Sequence, residues 1–74
     1  MQTIAQMEFA EPSQGDVLFI GVGVDSDNTI VLALSLEQDG DLQVSFRPEQ
    51  LAKVIAALSE AEDVARQGSE PSLQ

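Results

Sequence analysis

The chain has 74 residues, and its 13 aspartates and glutamates against three lysines and arginines give a formal net charge of -10 at pH 7. Because it contains neither cysteine nor histidine, disulfides, thiolate zinc sites and imidazole acid–base catalysis are excluded. Nucleic-acid binding needs a basic surface, so this charge predicts no direct binding of nucleic acid or anionic lipid and favours basic protein surfaces or cations. Solubility is the alternative reason for the acidity.

The length predicts one small domain over residues 1–67, followed by a frayed tail at 68–74. A hydrophobic share of 43% is that of a folded chain. The apolar runs are far shorter than the roughly 18 residues that a membrane span needs. The N-terminal MQTIAQMEF lacks the basic start and apolar core of a signal peptide, which predicts a cytoplasmic protein with no membrane contact.

Four segments alternate between apolar and other residues, the pattern of β-strands. The predicted strands are residues 3–9, an added edge strand, then 16–25, 29–37 and 41–46. In the last three, one face is strongly apolar, for example Leu18, Ile20 and Val22 in the first of them. Such strands predict an antiparallel sheet with its core on one side.

Turn geometry follows from the requirement that the apolar residues share a face. A register slip of one residue would move every side chain to the other face. Pairing Val24 with Ile30 leaves a loop at 26–28 with Asn28 left-handed, and pairing Leu36 with Leu42 leaves a loop at 38–40 that ends in Gly40.

From Pro48 the apolar period changes to that of a helix, predicted over residues 48–66. Its apolar stripe comprises Leu51, Val54, Ile55, Leu58 and Ala65. Since such a stripe must be buried, we expect the helix to pack on the Leu/Ile face of the sheet, which gives an α+β fold.

The segment Val24 to Ile30, VDSDNTI, follows an apolar strand and resembles the first motif of the haloacid dehalogenase phosphotransferases. That resemblance implies a nucleophile at Asp25, a general acid/base at Asp27 and bound Mg²⁺. The family, however, places its motif after a parallel strand and needs further loops and a lysine around the metal, whereas the predicted strands form a hairpin and Lys53 lies on the helix. We therefore interpret the segment as a turn.

A calcium-binding loop fails for a related reason, because Ile30 and Leu36 occupy the positions of its glycine and its bidentate glutamate. We therefore expect no enzyme activity, catalytic residue, metal site or cofactor.

On the second face of the sheet, small and apolar residues form a strip, which we call the glycine strip: Phe19, Gly21, Gly23, Val31 and Ala33. Two interpretations remain open. Either the N-terminal segment folds across the strip, or it is a surface for a partner or for a homodimer. A small accessory or scaffold protein acting through this strip is the alternative function.

The candidate partner-binding acids lie at the hairpin ends and on the helix: Asp25, Asp27, Glu37, Asp39, Asp41, Glu49, Glu60, Glu62 and Asp63. In size, acidity and lack of catalytic groups, the chain resembles phage-encoded inhibitors of the anti-CRISPR and anti-restriction type that mimic DNA. That resemblance implies a protein of the bacterial host cytoplasm that blocks a basic, nucleic-acid-binding surface of a protein complex, acting as a monomer or homodimer.

Overall fold

The computed structural model describes residues 1–69 as one antiparallel sheet followed by one helix, which confirms the α+β class. The elements are β1 (Gln2–Ala10), β2 (Val17–Val24), β3 (Ile30–Leu36), β4 (Gly40–Phe46) and α1 (Pro48–Ser69). Strands neighbour one another in chain order, so β1 and β4 are the edges and the predicted edge strand is confirmed. The helix continues through Gly68 and Ser69, two residues assigned to the tail, and positions 70–74 lie outside the described residues.

The β2–β3 hairpin has the predicted register, with Val24 opposite Ile30. Its turn is closed by the Asp25 N–H, which donates to the Thr29 carbonyl at 3.0 Å, and by the Asn28 N–H, which donates to the Asp25 carbonyl at 2.9 Å. Asn28 has φ 67°, the left-handed conformation that asparagine tolerates better than most residues. The prediction of a three-residue loop at 26–28 is confirmed.

The predicted β3–β4 register is wrong by two residues. Leu42 lies opposite Leu34, and Leu36 lies opposite Gly40. The turn occupies residues 37–39 and is closed by the Asp39 N–H, which donates to the Leu36 carbonyl at 3.3 Å. Gly40 is left-handed as predicted, with φ 97°. A shift of two residues keeps every side chain on its face, so the apolar pattern could not distinguish the two registers.

The paired registers define an apolar Leu/Ile face. Its residues are Ala5, Met7, Phe9, Leu18, Ile20, Val22, Val24, Ile30, Leu32, Leu34, Leu36, Leu42, Val44 and Phe46. A register shift between Thr3 and Ala5 places the β1 members on this face, since the extra residue of a bulge inverts the alternation beyond it. The charged strand residues Glu8 and Asp41 pair with Phe19 and Ser35 on the second face.

The helix does not cover the Leu/Ile face, so that part of the prediction is wrong. The contacts of α1 with the sheet are mainly with β4, and the stripe residues Ile55 and Leu58 are 57% and 65% exposed. Among the large apolar side chains of residues 1–69, Val31 alone is buried, at 3% exposure. The single chain therefore leaves its most apolar surfaces in contact with solvent.

The junction between β4 and α1 explains the position of the helix. Arg47 is the single residue between the two elements. Its carbonyl accepts from the N–H groups of Gln50 and Leu51, both at 3.0 Å, and its own N–H donates to Gln50 Oε1 at 2.9 Å. The Gln50 side chain thus caps the start of α1 by satisfying the backbone N–H of Arg47, as in one half of a capping box. Because β4 is an edge strand, α1 leaves the sheet there and extends the molecule to 52 × 31 × 16 Å.

Candidate functional site: charged and apolar surfaces

The acids at the hairpin turns lie at opposite ends of the sheet. Asp25 and Asp27 belong to the β2–β3 turn, whereas Glu37 and Asp39 belong to the β3–β4 turn. The seven residues of β3 separate the two turns, a distance of about 23 Å at 3.3 Å per residue. Asp41 follows the second of these turns, at the start of β4. The other candidate acids lie on α1, a third location: Glu49, Glu60, Glu62 and Asp63. The structure therefore divides the predicted acidic surface into three parts.

One end of the sheet, which we call the acidic end, gathers five acids from two loops and the start of β4: Glu11, Asp16, Glu37, Asp39 and Asp41. Glu11 and Asp16 are not among the partner-binding acids predicted from the sequence. Once residues 3–9 are taken as a strand beside β2, the β1–β2 loop must lie at the same end as the β3–β4 turn, and this was the available signal. All lysines and arginines of the chain follow β4: Arg47, Lys53 and Arg66. The acidic end consequently carries negative charge alone.

Asp16 holds the two loops of the acidic end together. It is 6% exposed, and its Oδ1 accepts from the Val17 N–H at 2.8 Å. Its Oδ2 accepts from the Gln38 N–H in the β3–β4 turn at 3.1 Å. Beside this contact, the Glu37 N–H donates to the Val17 carbonyl at 3.1 Å. Asp16 is therefore a structural residue that positions Glu37 and Asp39.

Glu11 organises the β1–β2 loop. Its Oε1 accepts from the Ser13 hydroxyl at 2.6 Å and from the Ser13 N–H at 2.8 Å, and its Oε2 accepts from the Gln14 N–H at 2.9 Å. The Ser13 hydroxyl, followed by the Ser13 N–H, holds the pKa of Glu11 below its ordinary value of 4.5. The carboxylate therefore keeps its negative charge to more acidic pH.

The other acids of the acidic end differ in whether their carboxylates are held by hydrogen bonds. Asp41 accepts a short hydrogen bond from the Ser35 hydroxyl across the β3–β4 pair. Glu37 and Asp39 are exposed, and their carboxylates make no hydrogen bond to residues 1–69. These two side chains are therefore the ones free to reorient toward a partner.

The VDSDNTI segment is a hairpin turn between antiparallel strands, as predicted. Asp27 Oδ1 accepts from the Thr29 hydroxyl at 2.7 Å and from the Thr29 N–H at 3.1 Å. These bonds, the hydroxyl first, hold the pKa of Asp27 below its ordinary value of 3.8. Across residues 1–69, no group of three or more acidic side chains is arranged to hold a metal ion.

Most of the glycine strip lines one open depression of about 140 Å³ on the second face. Gly21, Gly23, Val31 and Ala33 are in its wall, whereas Phe19 stands outside it. The N-terminal segment does not cross the strip, because β1 lies beside β2 as an edge strand. The Met1 side chain alone of that segment reaches over Gly23, so the strip is closed at one end and open elsewhere in the described chain.

Gly23 is required where the backbone of β1 comes close. A Cβ at this position would stand 3.0 Å from the Gln2 carbonyl oxygen and from Met1 Sδ, whereas a Cβ at Gly21 would meet Ala33 at an ordinary 3.8 Å. We expect Gly23→Ala to lower the free energy of unfolding by about 1 kcal/mol through overpacking. Gly21→Ala, the matched control, should be neutral or slightly stabilising. Denaturant unfolding measures both, and equal effects would contradict the close contact.

Among the described side chains of α1, one exposed ion pair is formed. Glu62 and Arg66 form an exposed ion pair at 3.0 Å, a type of contact that contributes little to stability. No helix in residues 1–69 combines the length and the apolar character that crossing a membrane requires.

No protein-family model matches the chain, and neither a curated protein sequence nor a solved structure is significantly similar to it. Function therefore has to be inferred from the surfaces of the molecule itself.

Proposed function

We propose that this protein is a non-enzymatic binding protein that blocks a basic, nucleic-acid-binding surface of a partner complex. The observation that carries the proposal is the acidic end, where five carboxylates gather, four of them at least partly exposed, and where the chain from β1 to β4 contributes no lysine or arginine. A one-signed surface on a rigid scaffold attracts the same basic groups that bind a phosphate backbone.

The arrangement suits recognition by charge. Asp16 and the Glu11 loop hold the backbone of the acidic end in place, so that Glu37 and Asp39 project from fixed positions. A backbone that is already held in place loses less conformational entropy on binding. Long-range attraction of this kind raises association rates and weakens with salt, since the Debye length is about 8 Å at physiological ionic strength.

Two charge-reversed variants test the assignment of the acidic end. Glu37→Lys with Asp39→Lys alters that end, and Glu60→Lys with Asp63→Lys alters α1; each pair changes the net charge from -10 to -6. We expect the first pair to slow association with the partner at least about tenfold, and the second pair to slow it much less. The partner is first recovered by affinity capture from extracts of the source organism, with and without excess DNA, and rates are then measured by surface plasmon resonance.

Displacement of the captured complex by DNA, together with a difference between the two pairs, would support the proposal. Capture of neutral or acidic partners only, with no dependence on salt, would contradict it. The non-enzymatic assignment has its own check: Asp25→Asn should leave binding intact, and a Mg²⁺-dependent phosphatase activity lost in that variant would overturn it.

A scaffold that acts through apolar surfaces is the second candidate function. It is favoured by the open depression along the glycine strip and by the uncovered Leu/Ile face. Exposed apolar surface on this scale is typical of protein–protein contact.

A further inference from the structure

The single chain exposes far more surface than a compact protein of its size. Its accessible area is 6034 Å², against about 4,400 Å² expected for a folded monomer of 7.9 kDa. Its radius of gyration is 15.2 Å, against about 11 Å for a compact chain of this length. The excess area, about 1,600 Å² per chain, is surface that folded monomers bury.

Two exposed apolar surfaces contribute to this excess. One is the Leu/Ile face, a four-stranded sheet surface without a charged side chain. The other is the α1 stripe, of which Ile55 and Leu58 are the most exposed members. Within one chain the stripe does not cover that chain's own sheet, because α1 follows β4 after the single residue Arg47 and contacts mainly that edge strand.

We propose that a second copy of this chain covers the Leu/Ile face, and that the α1 stripe of each copy packs on the sheet of the other. A two-fold arrangement covers both apolar surfaces of each copy, since each copy supplies one helix to the other and receives one helix on its sheet. If each chain buries its excess accessible area in the interface, the two chains together bury about 3,200 Å². This area lies within the roughly 2,000–5,000 Å² of obligate homodimer interfaces.

The placement of charge fits the same arrangement. Glu8 and Asp41, the charged residues within the strands, lie on the second face, so covering the Leu/Ile face buries no strand carboxylate. The glycine strip, also on the second face, stays outside the interface, whereas Asp39 of the acidic end lies at its margin, beside Leu36 and Leu42. The dimer is formed by the Leu/Ile face and the α1 stripe and does not depend on the proposed function.

The dependence on salt concentration distinguishes the proposed dimer from the proposed binding of a basic partner. Each copy carries a net charge of -10, so two copies repel each other over a distance. Screening that repulsion should strengthen the dimer, whereas screening should weaken attraction to a basic partner. Failure of one proposal is thus distinguishable from failure of the other.

Analytical ultracentrifugation of the full chain tests the dimer with two variants of α1. Leu58→Glu places a charge in the stripe, whereas Ala56→Glu places the same charge on the opposite side of the helix. In a dimer, Leu58→Glu acts twice, and we expect a rise in the dissociation constant of about 1,000-fold, which corresponds to about 4 kcal/mol. Ala56→Glu should leave the dissociation constant within a few fold of the wild type.

Leu58 is exposed in the single chain, so its replacement removes little packing within the subunit, and circular dichroism at a concentration that keeps the variant dimeric should show α1 retained. Thermal unfolding of the wild type should shift to higher temperature with protein concentration, as mass action requires for a dimer. A wild-type chain that sediments as a monomer from micromolar to millimolar concentration would overturn the proposal. So would a dimer that Leu58→Glu leaves unchanged.

Discussion

Replacement of Val44 by lysine should lower the free energy of unfolding by about 3 kcal/mol, whereas lysine at Gln43 should change it by less than about 0.5 kcal/mol. These neighbours in β4 point to opposite faces of the sheet. Val44 pairs with Leu32 on the Leu/Ile face, and Gln43 pairs with Ala33 on the second face. The two substitutions introduce the same charge into the same strand, so they report on the environment of each face.

The physical reason is the desolvation of the ammonium group. On the Leu/Ile face the new lysine would meet apolar side chains alone, and in the proposed dimer it would lose its water as well. At Gln43 the side chain is exposed and lies at the edge of the open depression beside Ala33, so a lysine there keeps its water. Chemical denaturation at a fixed protein concentration measures both variants. If Val44→Lys proved as mild as Gln43→Lys, the Leu/Ile face would be in contact with solvent in the native protein.

Replacement of Asp16 by alanine should lower the free energy of unfolding by about 2 kcal/mol. Its carboxylate accepts hydrogen bonds from the Val17 and Gln38 N–H groups while being 6% exposed. A hydrogen bond to a charged group contributes about 1.5–3 kcal/mol, and its loss leaves a backbone donor unsatisfied. Asp39→Ala is the control, because Asp39 is exposed and its replacement removes the same charge from the same end of the sheet.

The Asp16 variant also has a local signature. Since Asp16 joins the β1–β2 loop to the β3–β4 turn, its loss should speed amide hydrogen exchange at Gln38 and Glu37 more than at Asn28 in the opposite turn. NMR-detected exchange resolves these sites. Equal stability of Asp16→Ala and Asp39→Ala would show that the contact does not hold the acidic end together.

Local patterns in the sequence were enough to determine the strands, the faces and one hairpin. Period-two alternation placed Leu18, Ile20 and Val22 on one side, because successive side chains of a strand must point to opposite faces. A one-residue slip in β2–β3 would have exposed that whole set, so the register was fixed by parity and by the left-handed tolerance of Asn28. Pro48 marked the helix start because its ring fits the first helical position.

The tertiary structure decided what depends on contacts between distant residues. Parity allows two registers for β3–β4, and the observed one places the Gln38 N–H against Asp16, 22 positions earlier in the chain. The grouping of Glu11 with Glu37 follows from the strand order, in which β1 lies beside β2 and β2 beside β3. The apolar stripe predicted that α1 packs on the sheet of the same chain. In the structure, α1 follows β4 through the capped junction at Arg47 and does not cover that sheet. An amphipathic pattern predicts that one face of a helix is buried. The geometry of the connecting segments decides against which surface that face can pack.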